Sequence, residues 1–482
     1  MVGEHGSGAR PAPDAVLVEI ARYVLETEIT SAVAYETARL ALADSLACAC
    51  EALVHPDCTE LIGPVAPGTQ VPNGVKVPGT ALVLDPVQGA FAISALVRWL
   101  DYNDTWLAKE WGHPSDNFGA ILAVADFVSR QRRARGEAPY TVRDALTAAI
   151  KAYEIQGVLA LENSLNRVGF DHVQFVKVAS AAVAAVLFGG RFNELVSAVS
   201  NAWIDGPALR IYRHYPNTGP RKSWAAADAA SRAVRLAWLA MRGEPGYPTA
   251  LSAPQWGFQD VVLRGQPVVL ARPLGSYVME NVLFKIAFPA EFHGQTAVEA
   301  ALRLHPLVRH RLEEIAEIVI ETQESAKRII DKPGPFANPA DRDHSLQYMT
   351  AVALLYGELR YEHYLDPVAS DPRIPALIAK MRVIENPEFS RDYLDPEKRS
   401  IANAVQVIFR DGTRSERVLV EYPIGHPRRR AEGLPLLRRK LARALRLVYP
   451  ERRAAALEQL LLDDPALPDW PVDRLLDALH RG

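Results

Sequence analysis

Apolar residues recur at helical spacing from Asp14 to Gly265, and alanine fills many of the positions where such helices would touch. That combination allows little besides a tightly packed bundle, because small side chains let helix axes approach closely. Asp14 precedes Val16, Ile20, Tyr23 and Val24, an N-cap residue type in front of one apolar face. Thr141 and Asp144 take capping-box positions before Leu146, Ile150, Tyr153 and Ile155. Further helical patterns run over Pro86–Leu100, Phe118–Gln131, His172–Leu187, Phe192–Trp203 and Ser223–Met241. The longest run of small apolar residues, Ala179–Phe188, is too short to span a bilayer.

Beyond Gly265 the texture changes. Glu317–Glu321 and Lys380–Ile384 read as strands, and Val405, Val407 and Phe409 alternate up to an Asp411-Gly412 turn, with Val418–Tyr422 returning as hairpin partner. Helical patterns at Gln295–Leu304 and His344–Leu359 intervene, which gives a smaller α+β domain. From Arg428 the chain is helical again, so the α+β part reads as an insertion. The expected division is 1–267 helical, 268–424 α+β and 425–482 a helical return.

Charge excludes several partners. With 54 basic and 57 acidic residues the formal net charge is -3, so no global field draws the chain to nucleic acid or a membrane. Basic residues crowd Arg428–Arg430, Arg438–Lys440, Arg443 and Arg446, but Leu434, Leu437, Leu441 and Leu445 among them mark an amphipathic helix with a solvated face. The opening Met1–Gly8 lacks an apolar stretch and carries an acid, which predicts no secretory or transit peptide. The three cysteines, Cys48, Cys50 and Cys58, fit no disulfide framework, zinc site or iron–sulfur site, and a reducing, cytoplasmic setting is expected.

Chemistry concentrates in Trp99–Trp106 and Glu110–Asn117. Asp101, Asn103, Asp104, Thr105 and His113 share a short stretch bounded by tryptophans, and polar groups so caged are costly to fold unless a ligand uses them. The three-residue spacing of Asp101 and Asp104 puts both on one helical face, with Thr105 one turn after Asp101. His113 sits in a loop feeding a helix N-terminus at Ser115 and Asp116, where free N–H groups suit a carboxylate. Its imidazole, with an ordinary pKa of about 6.5, can exchange a proton near neutrality. Two carboxylates and one histidine lack a second histidine at ligand spacing, so no metal is expected. A second cluster places Arg210, Arg213, His214, Arg221 and Lys222 on a Pro/Gly loop ending at Ser223, read as a helix cap. A third joins Lys285–His293, after an apparent strand, to Asp341–Tyr348. A fourth joins Glu162–Arg167 to Asp171 and His172. Three clusters rich in cations or imidazoles, each entering a helix, predict a site for a small polyanion. Asn103, Arg221 and His344 are its candidate substrate contacts.

These segments resemble the MmgE/PrpD family. The resemblance is carried by Trp99–Thr105, Trp111–Asn117, Glu154–Gly157, Glu162–His172, Lys222–Ala226, Phe288–His293, Asn338–His344 and Gly425–Arg430. It implies a mainly α fold: a large all-helical domain from both chain ends plus a smaller α+β lid domain, usually as a homodimer. It implies dehydration of 2-methylcitrate to 2-methyl-cis-aconitate in the methylcitrate cycle of propionate catabolism, with activity on citrate and cis-aconitate, and no iron–sulfur cluster or other cofactor. Asp101, Thr105, His113, Lys222 and His293 carry over as catalytic residues, and Lys285 and Tyr348 as substrate-binding ones. Glu291 stands where the family's cis-aconitate decarboxylases have histidine, with His293 two residues later, and Thr105 and His113 lie two residues further apart. Both departures point to the dehydratase branch. In this reading His113 or Lys222 takes a proton alpha to a carboxylate, the other partner or Asp101 helps the hydroxyl leave, and Lys222, Arg221 and Lys285 stabilise the developing charge. Rival readings are cis-aconitate decarboxylation or dicarboxylate epimerisation on the same scaffold, and a non-catalytic carboxylate-binding protein.

Overall fold

A computed structural model describes residues 10–214, 216–395 and 397–481. The opening Met1–Gly8, on which the leader-peptide expectation rests, lies outside them. The architecture is mainly α. One hydrophobic core runs from Leu17 to Ile286 and resumes from Leu437 to Leu479. A second, smaller core takes residues from Phe288 to Val420.

In the large domain the Arg221–Met241 helix packs against the Pro86–Arg98 and Val173–Leu187 helices. Its buried side chains are mostly alanine, Ala225 to Ala240, which is what lets three helices share one close contact zone. Thr141 and Asp144 form the expected capping box on Val142–Glu162. Asp14 does not cap its own helix: its carboxylate instead accepts the Leu251 N–H at 2.8 Å and pairs with Ser252, tying the first helix to the end of this region. Among the described residues its named strands are a short antiparallel pair, β1 (Val75–Lys76) against β2 (Val83–Leu84).

The lid holds a four-stranded sheet, β3 (Ile315–Thr322), β4 (Met381–Glu385), β5 (Asn403–Phe409) and β6 (Val418–Val420), in the order β4-β3-β5-β6. β3 and β4 are parallel, joined by a crossover that includes the Leu346–Tyr356 helix, and the other pairings are antiparallel. Ile318, Ile320 and Thr322 alternate into the core, as a half-buried strand requires. The apparent strand before Lys285 is only an isolated bridge between Leu283 and Thr105.

The final segment closes back on the bundle. Gly425, at φ 101, lies so near Phe284 that a Cβ would meet its carbonyl oxygen at 2.2 Å, so only glycine fits there. The Arg430–Val448 helix then packs on Ala32–Ala52. Arg438 and Arg446 lie on its solvated face, but Lys440 is an exception: it is fully buried and paired with Asp44 at 2.7 Å.

Candidate active site

The Pro86–Arg98 helix ends just before the tryptophan-bounded stretch, and Asp101 then takes a left-handed φ of 49. That conformation is uncommon for a residue with a Cβ, though aspartate tolerates it better than most. It breaks the helical reading of Asp101 and Asp104, whose carboxylates have separate partners. Asp101 turns back over Arg98, whose Nη1 lies 2.8 Å from Oδ1. Lys285 donates to the same oxygen and, at 2.9 Å, to the Asp101 carbonyl. Lys222 Nζ is 4.0 Å from Oδ2, and Nε2 atoms of His113 and His344 are each 3.8 Å from the carboxylate. Burial alone would raise the Asp101 pKa, but Arg98, Lys285, His113 and Lys222 outweigh it and hold the carboxyl well below its usual range.

His113 has a fixed tautomer. Its Nδ1 lies 2.6 Å from the Asp104 carbonyl, which can only accept, so Nδ1 carries the hydrogen and Nε2 keeps its lone pair. Burial, then the charges of Arg98 and Lys285, push its pKa well below the ordinary histidine value, and the ring is neutral at pH 7. Thr105 donates to the Gly112 carbonyl at 3.2 Å and lies 3.4 Å from His113 Nδ1. The N–H and hydroxyl of Ser115 donate to Asp104 Oδ1 at 3.0 and 2.6 Å. That part of the turn is therefore engaged by the protein and not left for a ligand. Asn103 serves the same scaffold, donating to Ser115 and Asp116 at 2.8 and 3.1 Å, and does not line the cavity.

Lys222 comes from the first turn of the Arg221–Met241 helix, which Ser223 does not cap. Its ammonium donates to both Asp343 oxygens at 2.6 Å, joining bundle to lid. His344 Nδ1 donates to Asp343 at 2.6 Å, so its Nε2 faces Asp101. Burial and then the Lys222 charge lower the His344 pKa.

Around this centre lies a cavity of about 230 Å³ between bundle and lid. Six arginine or lysine side chains line it against two carboxylates, Asp101 and Glu291, so its walls are positive. Of the predicted residues, Asp101, Thr105, His113, Lys285 and His344 line it together with Arg210, Arg213 and His214 of the second cluster, and Lys222 reaches the same centre through Asp101 and Asp343. Arg221 does not: its guanidinium lies over the Tyr212 and Trp224 rings, 4.0 Å from Asp228, and its side chain is 42% exposed. Tyr348 is in the lid core, donating to the His363 carbonyl at 2.7 Å. His293 stands behind the wall, 2.8 Å from Glu291 and 3.1 Å from Tyr393, its ring edge-on to Trp111. Arg98 and Arg328 went unsingled in the sequence. Both sit in helices without a recognisable motif, and only a count of cations on inward faces could have found them. His172 lies 5.9 Å from the His113 ring with neither nitrogen hydrogen-bonded among the described residues.

Ligand atoms of Asp101, Asp343 and His344 come within 4.8 Å of one another, as a metal would need. Arg98, Lys285 and Lys222 already engage the two carboxylates, however, and a divalent cation would have to displace or repel all three. The donor set does not fit a metal. Nor do thiols: Cys48, Cys50 and Cys58 are buried away from the lining, and burial pushes Cys50 and Cys58 up to about 12.

Fold and site together define a two-domain, mainly helical enzyme with a neutral imidazole in a positively lined cleft. Residues 18–271 match the MmgE/PrpD N-terminal domain and residues 288–464 the MmgE/PrpD C-terminal domain. The chain belongs to the MmgE/PrpD family. It is 56% identical over 474 residues to the 2-methylcitrate dehydratase of Cupriavidus necator, covering 98% of each chain. It is 57% identical to the 2-methylcitrate dehydratase of Escherichia coli strain K12, covering 97% of this chain and 98% of the relative. The mitochondrial 2-methylcitrate dehydratase of Yarrowia lipolytica is 54% identical over 97% of this chain and 91% of its own length.

Proposed function

We propose that this chain is a hydro-lyase that dehydrates 2-methylcitrate to 2-methyl-cis-aconitate. The curated relatives of nearly equal length carry that activity in their names. The observation that carries the chemistry is the neutral His113, its Nε2 lone pair held 3.8 Å from an ionised Asp101 in a positively lined cavity. The C–H on the methyl-bearing carbon breaks and its proton passes to His113 Nε2. The neighbouring C–O bond breaks, and the departing hydroxide takes a proton from the Lys222 ammonium and leaves as water. The carbon–carbon double bond forms between them, and the imidazolium proton restores Lys222 for the next turnover.

The proton is poorly acidic because the carbanion develops beside a carboxylate, and Arg98 and Lys285 spread that charge. Asp101, ionised, is no proton donor. It holds Arg98 and Lys285 in place. Thr105 and Asp104 orient His113. Positive charge of the kind a metal would supply comes here from side chains, and the reading needs neither metal nor iron–sulfur cluster. The free buried cysteines favour a reducing, cytoplasmic setting. No helix of the described residues is long and apolar enough to cross a membrane. A homodimer is part of the proposal on the strength of the family resemblance.

Incubation with 2-methylcitrate and with cis-aconitate tests the reaction. Enoate absorbance from 2-methylcitrate without release of CO₂ from cis-aconitate is expected. CO₂ release without dehydration would replace this reading with decarboxylation.

A further inference from the structure

Most cations at the cavity are already matched. Arg98 and Lys285 hold Asp101, Lys222 holds Asp343, and Arg213 holds Asp171. Arg210 is different. Its side chain is 7% exposed, yet Nη1 has no hydrogen-bond partner among the described residues. The nearest carboxylate oxygens are 3.8 Å away on Asp171, which Arg213 already occupies, and 4.0 Å away on Glu110. Glu110 Oε1 is likewise without a hydrogen-bond partner there. Burial, working against the pull of Arg210, pushes the Glu110 carboxyl up to about 7, so near neutrality it is only partly ionised and cancels only part of that charge. A buried guanidinium N–H without an acceptor is costly, and the cost is tolerated where a ligand completes the set.

A second cation approaches the same wall from the lid. Arg328, on the Glu324–Ile330 helix, is 42% exposed, with Glu324 as its nearest acid at 3.7 Å. The guanidinium carbons of Arg210 and Arg328 lie 5.2 and 6.0 Å from the centroid of one ring, Trp111. Trp111 and both arginines line the cavity that holds Asp101 and His113. Of the three carboxylates of 2-methylcitrate, two are on the reacting carbons and one is on the acetate arm.

We propose that Arg210 and Arg328 form, at Trp111, the subsite for the acetate-arm carboxylate, half supplied by the bundle and half by the lid. This rests on the proposed dehydratase reading and adds what selects a tricarboxylate over a dicarboxylate. Arg210 presents a desolvated donor from the bundle, and Arg328 a second, more exposed one from the lid. Binding energy from this remote carboxylate then orients the reacting carbons at His113.

The test uses two competitive inhibitors that need no turnover, tricarballylate and succinate, which share a two-carboxylate frame and differ by one acetate arm. Their inhibition constants are measured on the full chain, on Arg210→Gln and on Arg328→Gln, with 2-methylcitrate as substrate. The unaltered chain is expected to prefer tricarballylate at least about tenfold, a typical return on one charge-assisted contact. In each variant that preference collapses toward unity because tricarballylate alone weakens. Should the preference survive in either folded variant, or both inhibitors weaken in step, the subsite is wrong. Arg328 lies at the surface, so Arg328→Gln decides the matter even where Arg210→Gln folds poorly. Failure of the unaltered chain to dehydrate 2-methylcitrate is a different result, and overturns the reaction instead.

Discussion

Nε2 of His113 and Oδ1 of Asp101 stand 3.8 Å apart, too far for a hydrogen bond and close enough for each charge to act on the other. The imidazole is thus held beside an anion without spending its lone pair on it. Its other nitrogen is committed to the Asp104 carbonyl. A base so placed is oriented by the backbone and needs no rearrangement before it meets a substrate proton.

Replacing His113 with alanine is expected to lower kcat by about 10²–10⁴, the usual share of general acid–base catalysis. The buried Asp104 carbonyl also loses its donor, at a cost of about 1–3 kcal/mol in stability. Steady-state kinetics and a thermal melt on the same preparation separate the two effects. Near-normal turnover in a folded His113→Ala, together with the same result for Lys222→Ala, would show that the chemistry is elsewhere.

The acid side of the pH profile follows from the direction of the shifts. Burial and nearby cations lower the pKa values of His113, His172 and His344 in the folded chain, while the unfolded value is about 6.5. Between the folded and unfolded values the unfolded chain binds more protons, so stability rises with pH across that window. It is lost as pH falls below about 6.5 toward the folded values. Histidine-selective nitrogen NMR on the free enzyme should find His113 neutral at pH 6, with the hydrogen on Nδ1. An imidazolium signal from His113 at that pH would contradict the assignment.

How much of this was legible beforehand depends on how local each signal was. The alternation in β5 and the Thr141 capping box are short-range patterns, and they read directly. The mainly α fold followed from the same periodicity. Arg221 and Lys222 show the limit: neighbours on a helix point about 100° apart, and nothing in the loop before them says which one faces inward. The helical reading of Asp101 and Asp104 failed because the left-handed turn at Asp101 sets its carboxylate against Lys285, 184 residues on, as well as against nearby Arg98, and the first of these is a tertiary requirement. Tyr348 and His293 have the right chemistry but are spent within the protein, on the His363 carbonyl and on Glu291. Those partners lie 15 and 2 residues away, but only the folded packing brings them into reach of these side chains and away from the cavity.

Asp101→Asn should be more harmful to folding than its small change in shape implies. Asparagine accepts the left-handed backbone at least as well, so the turn is preserved. What goes is the counter-charge of Arg98 and Lys285, both buried, and breaking such a pair typically costs about 3–5 kcal/mol. Chemical denaturation should show that loss, with kcat falling alongside as the two cations relax from their positions. A variant with unchanged midpoint would mean that water already compensates them.

Lys440 reaches the site without touching the cavity. Its ammonium donates to Asp44 at 2.7 Å, to the Tyr102 carbonyl at 2.7 Å and to the Lys285 carbonyl at 3.0 Å, and lies 3.6 Å from the Tyr102 ring centroid. The Tyr102 hydroxyl in turn donates to the Ile286 carbonyl at 2.6 Å. One cation from the C-terminal helix therefore fastens the stretch after Asp101 to the stretch that carries Lys285. Lys440→Met removes it and strands Asp44 in the core, at about 3–5 kcal/mol. Adding Asp44→Asn removes the stranded charge and should recover much of that stability, since the penalty belongs to the buried anion. It should not recover kcat, because the one donor that the carbonyls of Tyr102 and Lys285 share is still missing. Stability and activity should therefore separate in the double variant; if both return together, Lys440 matters to the fold alone.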